Sequence, residues 1–254
     1  MSVKLSVVII CFNEEKNIAR CLESIKDLAD EILIVDSFSN DKTLSICNEY
    51  QCRIIQNPFS GHIEQKNYAK NLATHDLVLS LDADECLDEI LKASILHVKD
   101  SESKNAYSMN RLNYYAGHWV RHGGWYPDKK LRLWDKNSGH WGGENPHDKF
   151  ILLDSSQKCV HLPGNILHYT YYSVEDHVKQ TEYFSKIAAK SKFIKGKKYI
   201  GIMKYASAVY KWIYTYLIRL GFLDGKAGWS IAKISAYGNF LKYKLLEEHW
   251  NTKN

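Results

Sequence analysis

The chain has no Cys-x-x-Cys pair, no Gly-x-Gly-x-x-Gly, no Gly-x-x-x-x-Gly-Lys-Ser/Thr, no internal repeat and no low-complexity segment. Its six cysteines (Cys11, Cys21, Cys47, Cys52, Cys86, Cys159) are scattered, several at positions expected on buried strand or helix faces. They read as reduced and structural, and a zinc site has little support. The missing glycine motifs leave dinucleotide and P-loop binding without support. The amino terminus runs Met1-Ser2-Val3-Lys4 into a short β-branched stretch, with neither the h-region nor the cleavage site of a secretory signal, so a cytoplasmic protein is expected. Residues 205–222 are almost wholly apolar or aromatic, but Lys211 and Arg219 interrupt them too soon for a spanning helix.

Acidic residues are scarce in one part of the chain. Residues 177–254 hold 15 basic and 4 acidic side chains, whereas residues 1–176 hold 19 basic and 25 acidic, a split that the net charge of +5 conceals. Six lysines and no acid fall between Lys186 and Lys198. A basic, aromatic tail of this kind suits an anionic surface, a membrane leaflet or nucleic acid, and the competing reading is a solvated helix face packed on the rest of the protein. Val209, Trp212, Ile213, Tyr216, Leu217 and Leu220 recur at helical spacing, a stripe that more often packs as core than faces a membrane.

What is present is an ordinary globular composition, 254 residues with 45% hydrophobic and 25% charged, enough for one large α/β domain or a core with an appendage. Residues 4–11 form a continuous β-branched run, as in a strand buried on both faces of a parallel sheet. Asn13 offers a cap for a helix ending near Leu28, with Glu14 and Glu15 in its first turn. Strands are expected at 31–35, 53–56 and 77–81, and helices at 41–50, 63–72 and 87–98, a β-α-β-α-β-α-β order that predicts a doubly wound parallel sheet. Further strands are expected at 106–114, 131–134 and 150–153, with 115–130 an irregular loop and helix from 174 onward.

The fourth strand ends in Asp82-Ala83-Asp84-Glu85. Two carboxylates one residue apart at the carboxyl end of a buried strand can hold a hard divalent cation, which in turn clamps a diphosphate. The alternative is an acidic strand-to-helix turn in which Asp84 or Glu85 caps the following helix. Acids recur at three strand ends, Glu14 after the first, Asp36 at the second, Asp82 and Asp84 at the fourth, where a nucleotide binds in an open α/β sheet. Carboxylates suit the imide and ribose hydroxyls of uridine, and a metal on Asp84 would offset their repulsion of the diphosphate.

The segments Val7 to Ile18, Cys21-Leu22-Glu23-Ser24-Ile25, Ile34 to Thr43, Gln65-Lys66-Asn67 and Leu81 to Glu85 together resemble glycosyltransferase family 2, the inverting enzymes of the GT-A fold. Within it the chain is similar to the lipopolysaccharide core β-glucosyltransferases, a likeness that extends to Gly124-Trp125-Tyr126-Pro127-Asp128, Lys130-Leu131-Arg132-Leu133-Trp134 and the segment 221–228. One departure is Ser37-Phe38-Ser39, where the family turn reads Ser-Gly-Ser. The resemblance implies an α/β GT-A (Rossmann-like) fold, a mostly parallel sheet flanked by helices with a helical carboxyl-terminal extension. It implies a transferase domain over 1–172, with a nucleotide-sugar half at 1–100 and an acceptor and catalytic half at 101–172, followed by a basic extension at 173–254.

By the same resemblance Glu14 and Asp36 would hold the uridine, Asp82 the ribose with Ala83 beside it, and Asp84 the metal, Mg2+ or Mn2+. Lys66 would lie near the donor phosphates or sugar, although a surface position on its helix is the alternative. The family base follows a His, as Val-His-Glu; Asn145-Pro146-His147-Asp148 occupies that place, making Asp148 the candidate and Glu144 its rival. His168 resembles the His that often completes the metal site. The implied reaction is transfer of a hexose, glucose first, from a UDP-sugar to a lipopolysaccharide core or lipid-linked saccharide at the inner face of the cytoplasmic membrane, with no nucleic-acid partner. A sugar nucleotidyltransferase would need a glycine-rich, basic loop after the first strand, where this chain has Asn13-Glu14-Glu15. A membrane- or nucleic-acid-binding module would leave the strand-end acids unexplained.

Overall fold

The computed structural model describes residues 2–101, 105–144, 147–198 and 201–252. One compact unit comprises Met1–Arg111 and Asp128–His168, and a second comprises Leu112–Pro127 and Tyr169–Asn254.

In the first unit β1 (Leu5–Cys11) pairs in parallel with β2 (Glu31–Asp36) on one side and β4 (Leu77–Asp82) on the other, and β3 (Arg53–Gln56) extends the parallel set beside β2. The β-branched run of β1 is buried along nearly its whole length, as helices covering both sheet faces require. Helix α1 (Ile18–Ile25) buries Ile18, Cys21, Leu22 and Ile25 at helical spacing, and α2 (Thr43–Glu49) follows β2. Helix α3 (His62–Leu72) differs, because its buried face carries Gln65 and Lys66 beside Ala69.

After β4 come β5 (Glu85–Leu87), α4 (Glu89–Lys99), β6 (Ala106–Tyr115), β7 (His118–Val120), β8 (Asp128–Asp135), β9 (Gly139–Glu144), β10 (His147–Leu152) and β11 (Cys159–Tyr171). The sheet order is β3-β2-β1-β4-β8-β6-β11-β5, with β8 antiparallel to both β4 and β6, and β11 antiparallel to β5. Strands β9 and β10 form a separate hairpin whose Trp141 and Phe150 pack on Trp134 of β8, the Phe150 and Trp134 rings stacked at 3.9 Å.

Two local expectations fail for physical reasons, and one strand is unannounced. Asn13 does not cap a helix: it adopts a left-handed φ of 55°, and α1 begins only at Ile18, after a turn in which the Glu14 carbonyl accepts from the N–H groups of Asn17 and Ile18. Residues 115–130 contain β7 and the start of β8 rather than one irregular loop. Strand β11 carries no strand signal because Pro163 and Gly164 punctuate its middle, Gly164 at a φ of 94°.

The second unit is mainly helical. Helix α5 (Val174–Ile194) opens with a capping box in which the Ser173 hydroxyl accepts from the Asp176 N–H and the Asp176 carboxylate accepts from the Ser173 N–H. It packs on α7 (Gly225–Asn251), which also receives α6 (Met203–Ile213). Between α6 and α7 lie a π turn, Tyr214–Ile218, and a 3-10 turn, Gly221–Asp224. His177 is buried among the rings of Tyr115, Trp125 and Tyr171, and desolvation lowers its pKa to about 4. The apolar stripe expected as core divides: Trp212 and Tyr216 pack on Trp229, while Val209, Ile213, Leu217 and Leu220 are exposed. The apolar residues of this segment are more numerous than one partner helix can cover.

Candidate active site

The register of the parallel strands places Asp82 opposite Ile10 and Asp36 opposite Cys11, so two of the acids flank the carboxyl end of β1. Asp36 is fully buried; its carboxylate accepts from the N–H and hydroxyl of Ser39 and from the Gln56 amide. It therefore shapes the turn after β2 as well as marking the strand end. That turn is laced to the loop after β1: the Asn13 N–H donates to Ser39 Oγ at 2.8 Å, the Asn40 N–H to Asn13 Oδ1 at 2.9 Å, and the Glu14 N–H to Thr43 Oγ1 at 2.8 Å. Phe38, standing where the family has glycine, adopts a left-handed φ of 62° and is exposed, as is Phe12 at the end of β1.

Glu14 is half-buried. Burial raises its pKa, an amide hydrogen bond from Asn17 opposes the rise, and the charges of Asp84, Asp41 and Asp82 add to it. Glu14 and the Asp82-Ala83-Asp84 turn therefore share one electrostatic environment, which a cation would relax. Ala83 itself is buried in the core cluster beneath.

Lys66 is the hub of the site. From the buried face of α3 its Nζ lies 3.0 Å from Asp82 Oδ1 and 2.8 Å from Asp148 Oδ2, and 4.7 Å from the centre of the Trp141 ring. On the other side of Asp82, Arg132 Nη2 reaches Oδ2 at 2.9 Å and Glu85 Oε1 at 3.2 Å, its guanidinium also against Trp141. Arg111 adds a longer contact to Glu85 at 3.4 Å and pairs with Asp128 at 2.9 Å. Burial would raise the Asp82 pKa, but Lys66 and Arg132 overcome it and hold the carboxyl well below the usual range. Burial opposes the charge on Arg132, and Glu85 and Asp82 more than restore it, leaving its pKa raised.

Asp84 points elsewhere. Its Oδ2 lies 3.1 Å from His168 Nε2, brought there by the β11–β5 pairing in which His168 sits opposite Glu85. A carboxylate and an imidazole in contact are two donors for a divalent cation; among the described residues no group of three or more His, Cys, Asp or Glu is arranged to hold a metal. The donor set still fits, because Mg2+ and Mn2+ at phosphate sites commonly take one or two protein ligands and complete their shell with phosphate oxygens and water. Glu144, the rival of Asp148, is exposed on β9. Asn145 and Pro146 lie outside the described residues.

Residues 6–156 match the family profile described as glycosyl transferase family 2. The chain belongs to that family. Among its relatives, an uncharacterised glycosyltransferase of Rickettsia typhi is 29% identical over 96% of this chain and 87% of its own length. The lipopolysaccharide core biosynthesis glycosyltransferase LpsC of Rhizobium meliloti is 26% identical over 87% of this chain and 82% of its own. A solved structure of Staphylococcus aureus TarS with UDP is 16% identical, covers 99% of this chain and 92% of that one, and has a TM-score of 0.48.

This family 2 glycosyltransferase has the α/β GT-A fold expected of it, with the strand-end acids gathered in one unit. Sequence reasoning missed Arg132, Glu85 and Trp141 at the site. Arg132 carried a signal, an arginine in the middle of the apolar strand Leu131-Arg132-Leu133-Trp134, where only a buried carboxylate makes it tolerable.

Proposed function

We propose that this glycosyltransferase is an inverting enzyme that moves a hexose, glucose first among the candidates, from a UDP-sugar to a sugar hydroxyl of a lipopolysaccharide core or lipid-linked saccharide. The observation that carries the reading is Lys66 bridging Asp82, at the nucleotide-side strand end, and Asp148, on the hairpin, at 3.0 and 2.8 Å. One cation thereby couples the place for a diphosphate to the place for a base. The acceptor class is supported by the likeness to LpsC, whose name records a role in lipopolysaccharide core biosynthesis. Acceptors of that class lie at the cytoplasmic face of a membrane, and none of the described helices is long and apolar enough to cross one.

In this reading Asp148 takes the proton of the acceptor hydroxyl. The oxygen attacks the anomeric carbon from the face opposite the leaving group, and the bond to the β-phosphate oxygen breaks with its electron pair leaving on UDP, so the configuration inverts. The ion pair with Lys66 holds Asp148 in place in the resting protein. An incoming diphosphate competes for the same ammonium and frees the carboxylate. Glu14 and the turn fixed by Asp36 line the nucleoside side, Asp82 faces the ribose with Ala83 packed behind it, and Asp84 with His168 would hold Mg2+ or Mn2+. When bound, such a cation supplies neutralising charge to the departing diphosphate. A nucleotidyltransferase is disfavoured by the acidic Asn13-Glu14-Glu15 loop after β1.

The test is a screen of UDP-glucose and other UDP-sugars for UDP release, with and without Mn2+. Metal-dependent UDP release from at least one donor is expected. Release from none of them, or release unaffected by metal, contradicts the reading.

A further inference from the structure

The segment joining α6 to α7 displays apolar side chains that none of the described residues covers: Ile218 is 60% exposed, Leu223 56%, and Leu217, Leu220 and Phe222 are also exposed. Isolated exposed aliphatics are ordinary, but a contiguous group on one turn marks a contact surface. We propose that this tip is a membrane-docking element, which enters the boundary between headgroups and acyl chains of an anionic bilayer.

The tip is built to hold its shape. Leu220 sits at a left-handed φ of 57°, an uncommon conformation for a branched side chain, and follows a π turn. Beneath it, a Cβ on Gly221 would stand 2.6 Å from the Thr215 carbonyl oxygen, and one on Gly228 would stand 1.8 Å from the Gly221 carbonyl oxygen. Only glycine permits this approach, which braces the turn against α7. The Arg219 N–H donates to the Tyr214 carbonyl at 2.8 Å and the Leu223 N–H to the Leu220 carbonyl at 3.0 Å. Apolar side chains are thus presented on a pre-ordered backbone, which lowers the ordering cost of insertion.

Charge selects the occupant. Residues 201–223 hold no Asp or Glu, and although Lys204 is paired with Glu247 of α7 at 2.6 Å, Lys211 and Arg219 carry the positive charge of the tip. The next acid, Asp224, is buried and turned inward, accepting from the N–H groups of Arg121 and His122 and contacting the imidazoles of His118 and His122 at 3.2 Å. The cations stand against aromatic rings: Arg219 lies 5.4 Å from the Tyr214 ring centre and donates to its hydroxyl at 2.9 Å, and Lys233 lies 5.8 Å from the exposed Trp229 ring. Aliphatic tip, aromatic collar and cations with apolar stems are the arrangement that a lipid interface favours. A second copy of this chain meeting the face about a two-fold axis would oppose cation to cation with no carboxylate to pair them, whereas anionic headgroups supply the missing charge. The tip is distinct from the lysine run at 186–198, which the composition singled out.

The experiment is cosedimentation of the full chain with vesicles of phosphatidylcholine alone and of phosphatidylcholine mixed with phosphatidylglycerol. Partition onto the mixed vesicles is expected to exceed that onto the neutral ones. Ile218→Asp combined with Leu223→Asp should lower it by at least about tenfold, since each change puts a charge at the apolar boundary. Both positions are exposed, so the melting curve should stay unchanged. A second measurement needs no variant: brominated phosphatidylcholine in the mixed vesicles should quench tryptophan emission of the unaltered protein. No partition, equal partition of the double variant, absence of quenching, or a lipid-free dimer that the double variant dissociates would each overturn the proposal. Partition requires no donor sugar and no catalysis, so an Asp84→Ala protein should bind vesicles as the unaltered one does.

Discussion

Lys66 and Asp148 form a 2.8 Å ion pair across 82 residues of sequence, with side chains only 5% and 13% exposed. The pair joins α3 to the β9–β10 hairpin, and the same ammonium also neutralises Asp82. An unpaired acid in this position would be costly, so the cation and both carboxylates depend on one another. Lys66→Met should therefore destabilise the protein by about 3 kcal/mol in urea unfolding, because it leaves Asp148 partly buried without its partner. Unchanged stability would mean that the pair is solvated in solution.

Asp148→Asn preserves shape and removes basicity. Transfer should fall by about 10² to 10⁴ while UDP binding persists. Glu144→Gln should leave the rate nearly unchanged, and steady-state kinetics on both variants decides between the two carboxylates. A large loss in the Glu144 variant with a small one in the Asp148 variant reverses the roles.

Asp36→Ala should act through the turn it fixes. Removing a buried carboxylate that accepts from Ser39 and Gln56 leaves those donors unpaired, so the laced loops loosen. Calorimetric titration should show UDP affinity weaker by about 1–3 kcal/mol. An undiminished affinity would take Asp36 out of the site.

Strands β1 to β4 and the helices between them are legible in the sequence because β1 and β2 are apolar, β-branched runs, β4 is a leucine-rich one, and the acids fall at strand ends; β5 is not, because Glu85-Cys86-Leu87 is too short to carry a pattern. Lys66 stood out only through the likeness of Gln65-Lys66-Asn67 to the family, since α3 has no strong apolar stripe to orient it. The partners of Lys66 come from β4 and the β9–β10 hairpin, and no local pattern announces such long-range pairing. Strand β11 was hidden by Pro163-Gly164, and with it the geometry that brings His168 to Asp84. The stripe at 209–220 looked like core because spacing records which residues share a face and not whether another element covers it.

The buried His177 gives a pH dependence with a definite sign. Its folded pKa, lowered to about 4, lies below its unfolded value of about 6.5. Between these values the unfolded chain binds a proton that the folded one does not, so the stability is present above the unfolded pKa and lost as pH falls toward the folded one. Urea unfolding from pH 7 to pH 4.5 should show a loss of about 1.4 kcal/mol per pH unit attributable to this group, and His177→Gln should flatten the slope by that amount. Equal slopes for the two proteins would mean that His177 titrates normally.

The most direct measurement is calorimetric titration of UDP into the protein with and without Mn2+, repeated on Asp84→Ala. Mn2+ should tighten UDP binding by at least about tenfold, equivalent to 1.4 kcal/mol. Asp84→Ala should abolish that gain without lowering the melting temperature, because its side chain faces the site and supports no core packing. UDP affinity indifferent to metal, or a gain that survives in Asp84→Ala, would contradict a metal-assisted UDP-sugar site at the end of β4.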